Sequence, residues 1–138
     1  MQGNKGAVSL RFNYKGSSIC LTNCHLTPHD NHLAYRVTNY HSITKSQKFA
    51  KEKIATILDH DLVFWFGDLN FRLDTKSNFT AKDIADLVSN GDLKPLLEHD
   101  ELRQTISEKA AFNGFSEAAI TFKPTYKFLV NTGDYDLK

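Results

Sequence analysis

An aspartate and an asparagine stand two positions apart directly after an apolar run, and these residue types suit phosphoryl chemistry. Val63 to Phe66 predicts a buried strand; Gly67, Asp68 and Asn70 follow it. If the extended backbone continues past the glycine, alternate side chains share a face, so the acid and the amide point the same way. The acid can orient or deprotonate a water, and the amide can donate to an oxygen that gains charge in the transition state. The alternative is an aspartate and an asparagine that only close a turn.

Three further groups could complete a phosphate site. Asn4 and Lys5 are flanked by glycines, which let the backbone approach a ligand, and lysine supplies a point charge for phosphate. His25 ends a predicted strand, where it can hydrogen-bond a phosphate oxygen or a leaving group. Tyr126 and Lys127 place a hydroxyl beside an ammonium. Each group also has a plainer interpretation: a solvated loop, a histidine without a ligand and a surface turn.

Composition limits the classes of function. The 138 residues are 41% hydrophobic with a formal net charge of +1, which suits one modest domain but gives no strong field for a nucleic acid. The sequence has no run of 18 apolar residues of the kind that spans a membrane, and residues 1–6 lack the apolar stretch of a signal peptide. Cys20 and Cys24 would lie about 13 Å apart on one strand, too far for a disulfide. We therefore expect a cytoplasmic protein with reduced cysteines.

Hydrophobic periodicity predicts the first elements. Alternating apolar residues predict a strand over 8–12, a turn at 15–17 and a second strand over 18–26, which together form a hairpin. Residues 27–39 are polar and rich in histidine, which predicts a loop. Residues 42–58 have one apolar face at helical spacing, which predicts a helix.

The second half of the chain predicts a central strand and two short helices. Residues 61–66 form the strand, and a capping-box pattern at 80–83 begins a helix that ends at Asn90-Gly91. The leucines of 93–102 predict another helix, and residues 118–122 predict a last strand. Strand pairs alternating with helices indicate an α/β or α+β layered sandwich.

Four segments together resemble the catalytic domain of the inositol polyphosphate 5-phosphatases. Residues 64–72 match the family's pattern aromatic-Trp-x-Gly-Asp-x-Asn-aromatic-Arg. The segments GNKGAV at 3–8, NCHL at 23–26 and FKPTYK at 122–127 occur in the family's order. The resemblance covers essentially the whole chain. Within the family, the skeletal muscle and kidney enriched inositol phosphatase branch is the most similar at residues 23–26, 58–62 and 131–136.

The resemblance implies a fold and a reaction. The fold would be a four-layer α/β sandwich of the DNase I-like endonuclease/exonuclease/phosphatase type, with residues 1–138 as the central part of a single catalytic domain, incomplete at both ends. The reaction would be Mg²⁺-dependent removal of the 5-phosphate from phosphatidylinositol 4,5-bisphosphate, phosphatidylinositol 3,4,5-trisphosphate or soluble inositol phosphates. Such an enzyme would be peripheral to membranes. The family's metal-binding glutamate and its Pro-Ala-Trp-x-Asp-Arg motif would lie outside these residues, so we expect the isolated chain to be inactive and marginally stable.

The resemblance also implies roles for the candidate residues. Asp68 would orient and deprotonate the attacking water, Asn70 would bind the scissile phosphate, and His25 would contact the same group. Tyr126 and Lys127 would hold the neighbouring 4-phosphate. The metal ligands stay unassigned. The other substrate-binding residues would be Asn4 and Lys5 in the cleft, His29 in a loop that meets lipid chains, and Arg72, which would brace the motif.

Two other functions use the same residues. A nuclease of the same superfamily could use an Asp-x-Asn pattern on phosphodiesters, although the net charge gives it no support. A phosphoinositide-binding fragment without turnover could hold headgroups through Lys5, Tyr126 and Lys127. Flanking sequence and a phosphate-release assay would separate these alternatives from a phosphatase.

Overall fold

The structure, a computed structural model, describes residues 4–49 and 56–137 of the chain. Within these ranges it has three strands, four α-helices and three short 3-10 helices. The strands are β1 Gly6–Tyr14, β2 Ser17–His25 and β3 Leu62–Asp68. The α-helices are α1 Leu33–Ser46, α2 Ala81–Asn90, α3 Lys94–Glu98 and α4 Glu101–Ser107, and the 3-10 helices are Asp30–His32, Ile57–Asp59 and Thr75–Ser77.

The three strands form one sheet in the order β1-β2-β3. The predicted hairpin is confirmed, because β1 and β2 pair antiparallel through the turn at 15–16. The next pair, β2 and β3, is parallel, with α1 in the connection, as a parallel pair requires a crossover. His25 is therefore opposite both Gly6 of β1 and Asp68 of β3. The two parallel strands end side by side.

One face of the sheet is covered and the other is open. Cys20, Thr22 and Cys24 on the covered face are at most 4% exposed, and both thiols are free, as predicted. Trp65 of β3 lies on the same face and contacts Tyr40 of α1 at a ring separation of 5.1 Å. Burial raises the pKa of the Cys24 thiol, which keeps it protonated and inert.

The open face carries the apolar side chains that the sequence predicts to be buried. Val8 and Leu10 of β1 are 77% and 62% exposed, and Phe64 and Phe66 of β3 are 52% and 48% exposed. The prediction of burial is wrong for these residues within this chain. Alternation assigns residues to two faces but does not say which face a helix covers, and α1 lies on the face with the smaller side chains.

Two predicted boundaries around α1 are wrong. Residues 27–39 are not all loop, because a 3-10 helix forms at 30–32 and α1 begins at Leu33. The helix ends at Ser46 rather than continuing to 58, and Gln47 is already extended with ψ 122°. The chain has to turn back here so that β3 can run parallel to β2. Residues 50–55 of the predicted helix lie outside the described residues.

Four further segments were predicted to be helices or strands, at 61–66, 80–90, 93–102 and 118–122. The central strand at 61–66 and the capped helix at 80–90 are confirmed, the latter with both capping-box hydrogen bonds of Thr80 and Asp83. The leucine-rich segment 93–102 contains α3 and the beginning of α4. Residues 118–122 form no strand, because no described strand lies beside them to satisfy their backbone groups.

Candidate active site

The ends of the parallel strands β2 and β3 bring His25 and Asp68 together. They are direct partners in the strand register, and His25 Nε2 lies 3.4 Å from Asp68 Oδ2. Both side chains are accessible, with 50% and 62% of their surface exposed. The backbone continues this pairing, since the amide of Leu26 donates to the carbonyl of Asp68 at 2.9 Å. A carboxylate and an imidazole thus face solvent at the carboxyl ends of strands, where α/β sheets bind ligands.

Gly67 permits this close approach of the strands. Its φ is +121°, a conformation that other residues rarely adopt. A Cβ atom at this position would overlap the carbonyl oxygen of Cys24 on β2. The glycine before Asp68 is therefore required by backbone packing, and β3 continues through it to Asp68.

Asn70 reaches the site through a turn and not through strand alternation. Its φ is +57°, so the extended backbone ends before it, and the geometric argument from alternation is wrong at this residue. The amide N–H of Asn70 donates to Asp68 Oδ1 at 3.2 Å, which is the turn interaction expected of an aspartate. The side chain is nevertheless brought to the same strand ends, because Asn70 Nδ2 donates to the carbonyl of Leu26 at 3.0 Å.

The orientation of the Asn70 amide is fixed by its neighbours. Its Oδ1 accepts from Arg72 at 2.9 Å, and its Nδ2 donates to the carbonyl of Leu26. A flipped amide would point Nδ2 at the Arg72 guanidinium and Oδ1 at the Leu26 carbonyl, and neither contact could form a hydrogen bond. Only one orientation of the amide therefore satisfies both partners. Nδ2 has two hydrogens, and the Leu26 carbonyl takes one of them. Among the hydrogen bonds of residues 4–49 and 56–137, the other hydrogen has no acceptor and can donate to a ligand.

The Arg72 side chain contacts residues that follow both β2 and β3. Besides Asn70, its guanidinium approaches Asp30, with Nε 3.9 Å from Oδ1. Asp30 begins the 3-10 helix that follows β2, so Arg72 connects the segments after both strands. This arrangement agrees with the bracing role that the resemblance implies.

The remaining candidates near the strand ends are Asn4 and His29, which are exposed, and Lys5, which is partly buried. Asn4 and Lys5 immediately precede Gly6, the partner of His25, and therefore lie at the same edge of the sheet. Lys5 Nζ contacts only the carbonyl of Asn4, at 3.5 Å, among the described residues. The side chain of His29 is exposed, and its ring packs edge-on against His32.

Tyr126 and Lys127 lie against a different element. Lys127 Nζ is 2.6 Å from Asp136 Oδ2, and this pairing raises the pKa of Lys127. Tyr126 is 79% exposed. Both line a cavity of about 360 Å³ between α2 and residues 124–137, which His25, Asp68 and Asn70 do not line. No hydrogen bond or ion pair described for residues 4–49 and 56–137 joins these two residues to the strand ends.

The described residues do not complete a metal site. Mg²⁺ takes six oxygen ligands, including one or two carboxylates. Asp68 has a suitable carboxylate, but within residues 4–49 and 56–137 no three acidic, histidine or cysteine side chains are grouped to hold a metal. The expected Mg²⁺ does not fit these residues alone.

The sequence interpretation missed Arg36 and Glu101. Arg36 of α1 is 0% exposed and Glu101 of α4 is 4% exposed, with Arg36 NH2 2.6 Å from Glu101 Oε2. A signal was present, because Arg36 stands at helical spacing with Leu33, Val37 and Tyr40 on what would otherwise be an apolar stripe. The prediction of a loop over 27–39 concealed it.

Comparison with known proteins identifies the family. All 138 residues match the family described as Endonuclease/Exonuclease/phosphatase family 2. The chain is 40% identical over 134 residues to phosphatidylinositol 4,5-bisphosphate 5-phosphatase A of Homo sapiens, covering 97% of the chain and 13% of that protein. It is 34% identical over 138 residues to the type II inositol 1,4,5-trisphosphate 5-phosphatase of Mus musculus, covering 97% of the chain and 14% of that protein. The chain belongs to the inositol polyphosphate 5-phosphatase family.

A solved 5-phosphatase structure confirms the fold. The inositol polyphosphate 5-phosphatase domain of SPsynaptojanin, crystallised with inositol (1,4)-bisphosphate and calcium ion, matches with a TM-score of 0.88 and 35% identity. The match covers 99% of this chain and 39% of that one. The predicted α/β sandwich of the endonuclease/exonuclease/phosphatase type is thus confirmed, and the similarity to one branch of the 5-phosphatases stays a prediction.

The same fold also occurs with a different function. Cimex nitrophorin, solved as a ferrous NO complex, matches with a TM-score of 0.69 and 28% identity over 96% of the chain and 43% of that protein. Function in this 5-phosphatase family member must therefore be argued from the site. Among the described residues, no helix combines the length and apolar character needed to cross a bilayer.

Proposed function

We propose that this chain provides the water-activating and phosphate-binding residues of a 5-phosphatase acting on phosphoinositides or soluble inositol phosphates. The observation that carries the proposal is the register of β2 and β3, which sets His25 beside Asp68 with 3.4 Å between their side-chain atoms. Asn70 is held at the same strand ends by Leu26 and Arg72. The relatives named above support this activity.

The residues have separate tasks in hydrolysis. Asp68 is accessible and accepts a proton from the attacking water, while His25 orients its carboxylate and contacts the phosphate. The second Nδ2 hydrogen of Asn70 donates to an equatorial phosphate oxygen, whose charge grows in the transition state. Because Asn70 is already fixed by two hydrogen bonds, little reorganisation accompanies this interaction.

A divalent cation, Mg²⁺, completes the proposed site. It would neutralise charge on the transferring phosphate. Asp68 would be one of its ligands, and the others would come from outside residues 4–49 and 56–137. Support comes from the related domain crystallised with calcium ion.

Substrate choice is proposed to depend on Lys127 and Tyr126, which would hold a 4-phosphate. The pairing with Asp136 keeps Lys127 protonated and extended into one position. Asn4 and Lys5, at the sheet edge beside His25, would line the route to the reacting phosphate. We further propose a cytoplasmic enzyme peripheral to membranes, with the exposed loop at His29 facing the lipid; flotation with vesicles containing phosphatidylinositol 4,5-bisphosphate tests this.

The test of the function is phosphate release by the full-length protein that carries this chain. Substrates are vesicles with phosphatidylinositol 4,5-bisphosphate, soluble inositol 1,4,5-trisphosphate and duplex DNA. We expect Asp68→Asn to lower kcat about 10²- to 10⁴-fold and Asn70→Ala about 10²- to 10³-fold. Asp86→Asn, an exposed carboxylate on α2, is the matched control.

Three results would contradict the proposal. Cleavage of DNA with no release of phosphate would favour the nuclease. Headgroup binding without turnover by the wild-type protein would favour a binding module. Loss of a phosphate other than the 5-phosphate, seen by chromatography of the products, would assign a different reaction.

A further inference from the structure

The ion pair between Arg36 and Glu101 joins two helices under the ends of the catalytic strands. Arg36 lies on α1, and Glu101 is the first residue of α4. Their side chains are 0% and 5% exposed and lie 2.6 Å apart. Burying two charges costs free energy, which only close pairing and further hydrogen bonds offset. The remaining contacts of this pair therefore indicate what it does.

On one side, Arg36 holds the loop that follows β2. The guanidinium nitrogen Nη1 donates to the carbonyl of His29 at 2.7 Å and to the carbonyl of Thr27 at 3.4 Å. These carbonyls are two and four residues beyond His25. The position of this loop therefore depends on the guanidinium.

On the other side, Glu101 holds the segment that follows Asn70. The same Oε2 that binds Arg36 accepts the backbone N–H of Arg72 at 2.9 Å. The backbone N–H of Glu101 donates to the carbonyl of Arg72 at 3.0 Å. The Arg36 guanidinium also lies 5.5 Å from the ring centre of Phe71. Both residues after Asn70 are thus fixed by the pair.

The pair is not arranged for stability alone. Arg36 Nε is buried and has no hydrogen-bond partner among the described residues, and an unsatisfied buried donor is destabilising. The pair connects the loop after His25 to the segment after Asn70, because the Glu101 carboxylate binds both Arg36 and the backbone of Arg72. We propose that Arg36 and Glu101 are positioning residues that set the geometry of His25 relative to Asn70. For its effect on turnover, this inference rests on the proposed phosphatase function.

A double variant separates positioning from stability. Glu101→Leu leaves a buried unpaired charge and should lower the melting temperature strongly, whereas Arg36→Met with Glu101→Leu replaces the pair with apolar groups, which often preserves stability. In the full-length protein we expect the double variant to melt well above Glu101→Leu, although it loses the hydrogen bonds of the pair to the backbone, while kcat falls about tenfold to a hundredfold, with KM nearly unchanged. Thr105→Val, at a buried position one turn further along α4, is the control and should keep kcat.

Amide hydrogen exchange provides a readout that is independent of turnover. We expect faster exchange at residues 70–72 and 27–29 of the double variant, and unchanged exchange in β1 and β2. Wild-type kcat in a stable double variant, or unchanged exchange in both segments, would overturn the positioning role. Absence of phosphatase activity in the wild-type protein would overturn the proposed function instead, and the exchange pattern would still decide whether the pair ties the two segments together.

Discussion

At the scale of single residues, the site depends on the hydrogen bonds that fix the orientation of each polar side chain. The side chain of Asn70 accepts a hydrogen bond from Arg72 and donates one to the carbonyl of Leu26. Among the described residues, this leaves one hydrogen of the Asn70 amide that can donate to a ligand. Asp68 accepts from the backbone of Asn70 while its other oxygen faces His25. The turn interaction leaves this carboxylate accessible for the proposed catalytic role, so the two alternatives of the sequence interpretation are not exclusive.

Lys127 provides a prediction at this scale. In the full-length protein, Lys127→Met should raise KM for phosphatidylinositol 4,5-bisphosphate about tenfold or more, because a hydrogen bond to a charged group contributes about 1.5–3 kcal/mol. KM for phosphatidylinositol 3,5-bisphosphate, which has no 4-phosphate, should stay nearly constant. Steady-state kinetics on both lipids measure the difference, with the exposed Lys94→Met as the control. An equal change for both lipids would contradict recognition of the 4-phosphate.

At the scale of elements, the unit β2-α1-β3 creates the site. Its parallel register places His25 opposite Asp68, and α1 supplies Arg36 beneath the loops. The strands can approach closely at this end because position 67 has no side chain. The motif glycine is thus a structural requirement of the strand pair that carries His25 and Asp68.

Gly67→Ala tests this requirement against a second glycine. A methyl group at Gly67 would meet the backbone of Cys24 at an unfavourable φ, so we expect a loss of at least about 3 kcal/mol in the free energy of unfolding. Gly91, at the end of α2, also has a positive φ but has no atom near its Cβ position, so Gly91→Ala should cost only about 1 kcal/mol. Chemical denaturation measures both. If both variants lost the same free energy of unfolding, the glycine at position 67 would be explained by its positive φ alone and not by contact with the backbone of β2.

At the scale of the whole molecule, the sheet has one apolar face that the described residues leave open. Leu10, Leu21 and Phe64 form one row across the three strands. Leu10 and Phe64 are 62% and 52% exposed. Contiguous exposed apolar surface of this kind promotes association. The chain spans 39% of the related solved domain, so the behaviour of the isolated chain is a separate question from the activity of the whole protein.

We predict that the isolated 138-residue chain self-associates through this face. Sedimentation velocity should show a mass that rises with concentration, because removing apolar surface from water contributes about 25 cal/mol per Å². Leu10→Lys with Phe64→Lys should reduce the association. Tyr35→Lys, which changes an equally exposed side chain on α1, should not. A monomer with a sharp two-state melt at all concentrations would contradict the prediction.

Much of the fold was predictable where the signal is local. The hairpin follows from alternation and a Lys15-Gly16 turn, and α2 follows from the capping box of Thr80 and Asp83. The end of α1 and the absence of a strand at 118–122 were not predictable, since both depend on what lies beside the segment and not on its own residues. Arg36 was missed because the predicted loop over 27–39 concealed its place on the apolar stripe of α1, and its partner Glu101, 65 positions away, could not be inferred from local residues.

The types and order of residues in the motifs were enough to identify the family and to name the residues that could carry the chemistry. The folded chain was needed to show that His25 faces Asp68, that Asn70 arrives through a left-handed turn, and that Lys127 pairs with Asp136 beside α2. Residue type and local periodicity are properties of short segments. Contacts between strand ends, in contrast, depend on the register and crossover of elements far apart in the chain.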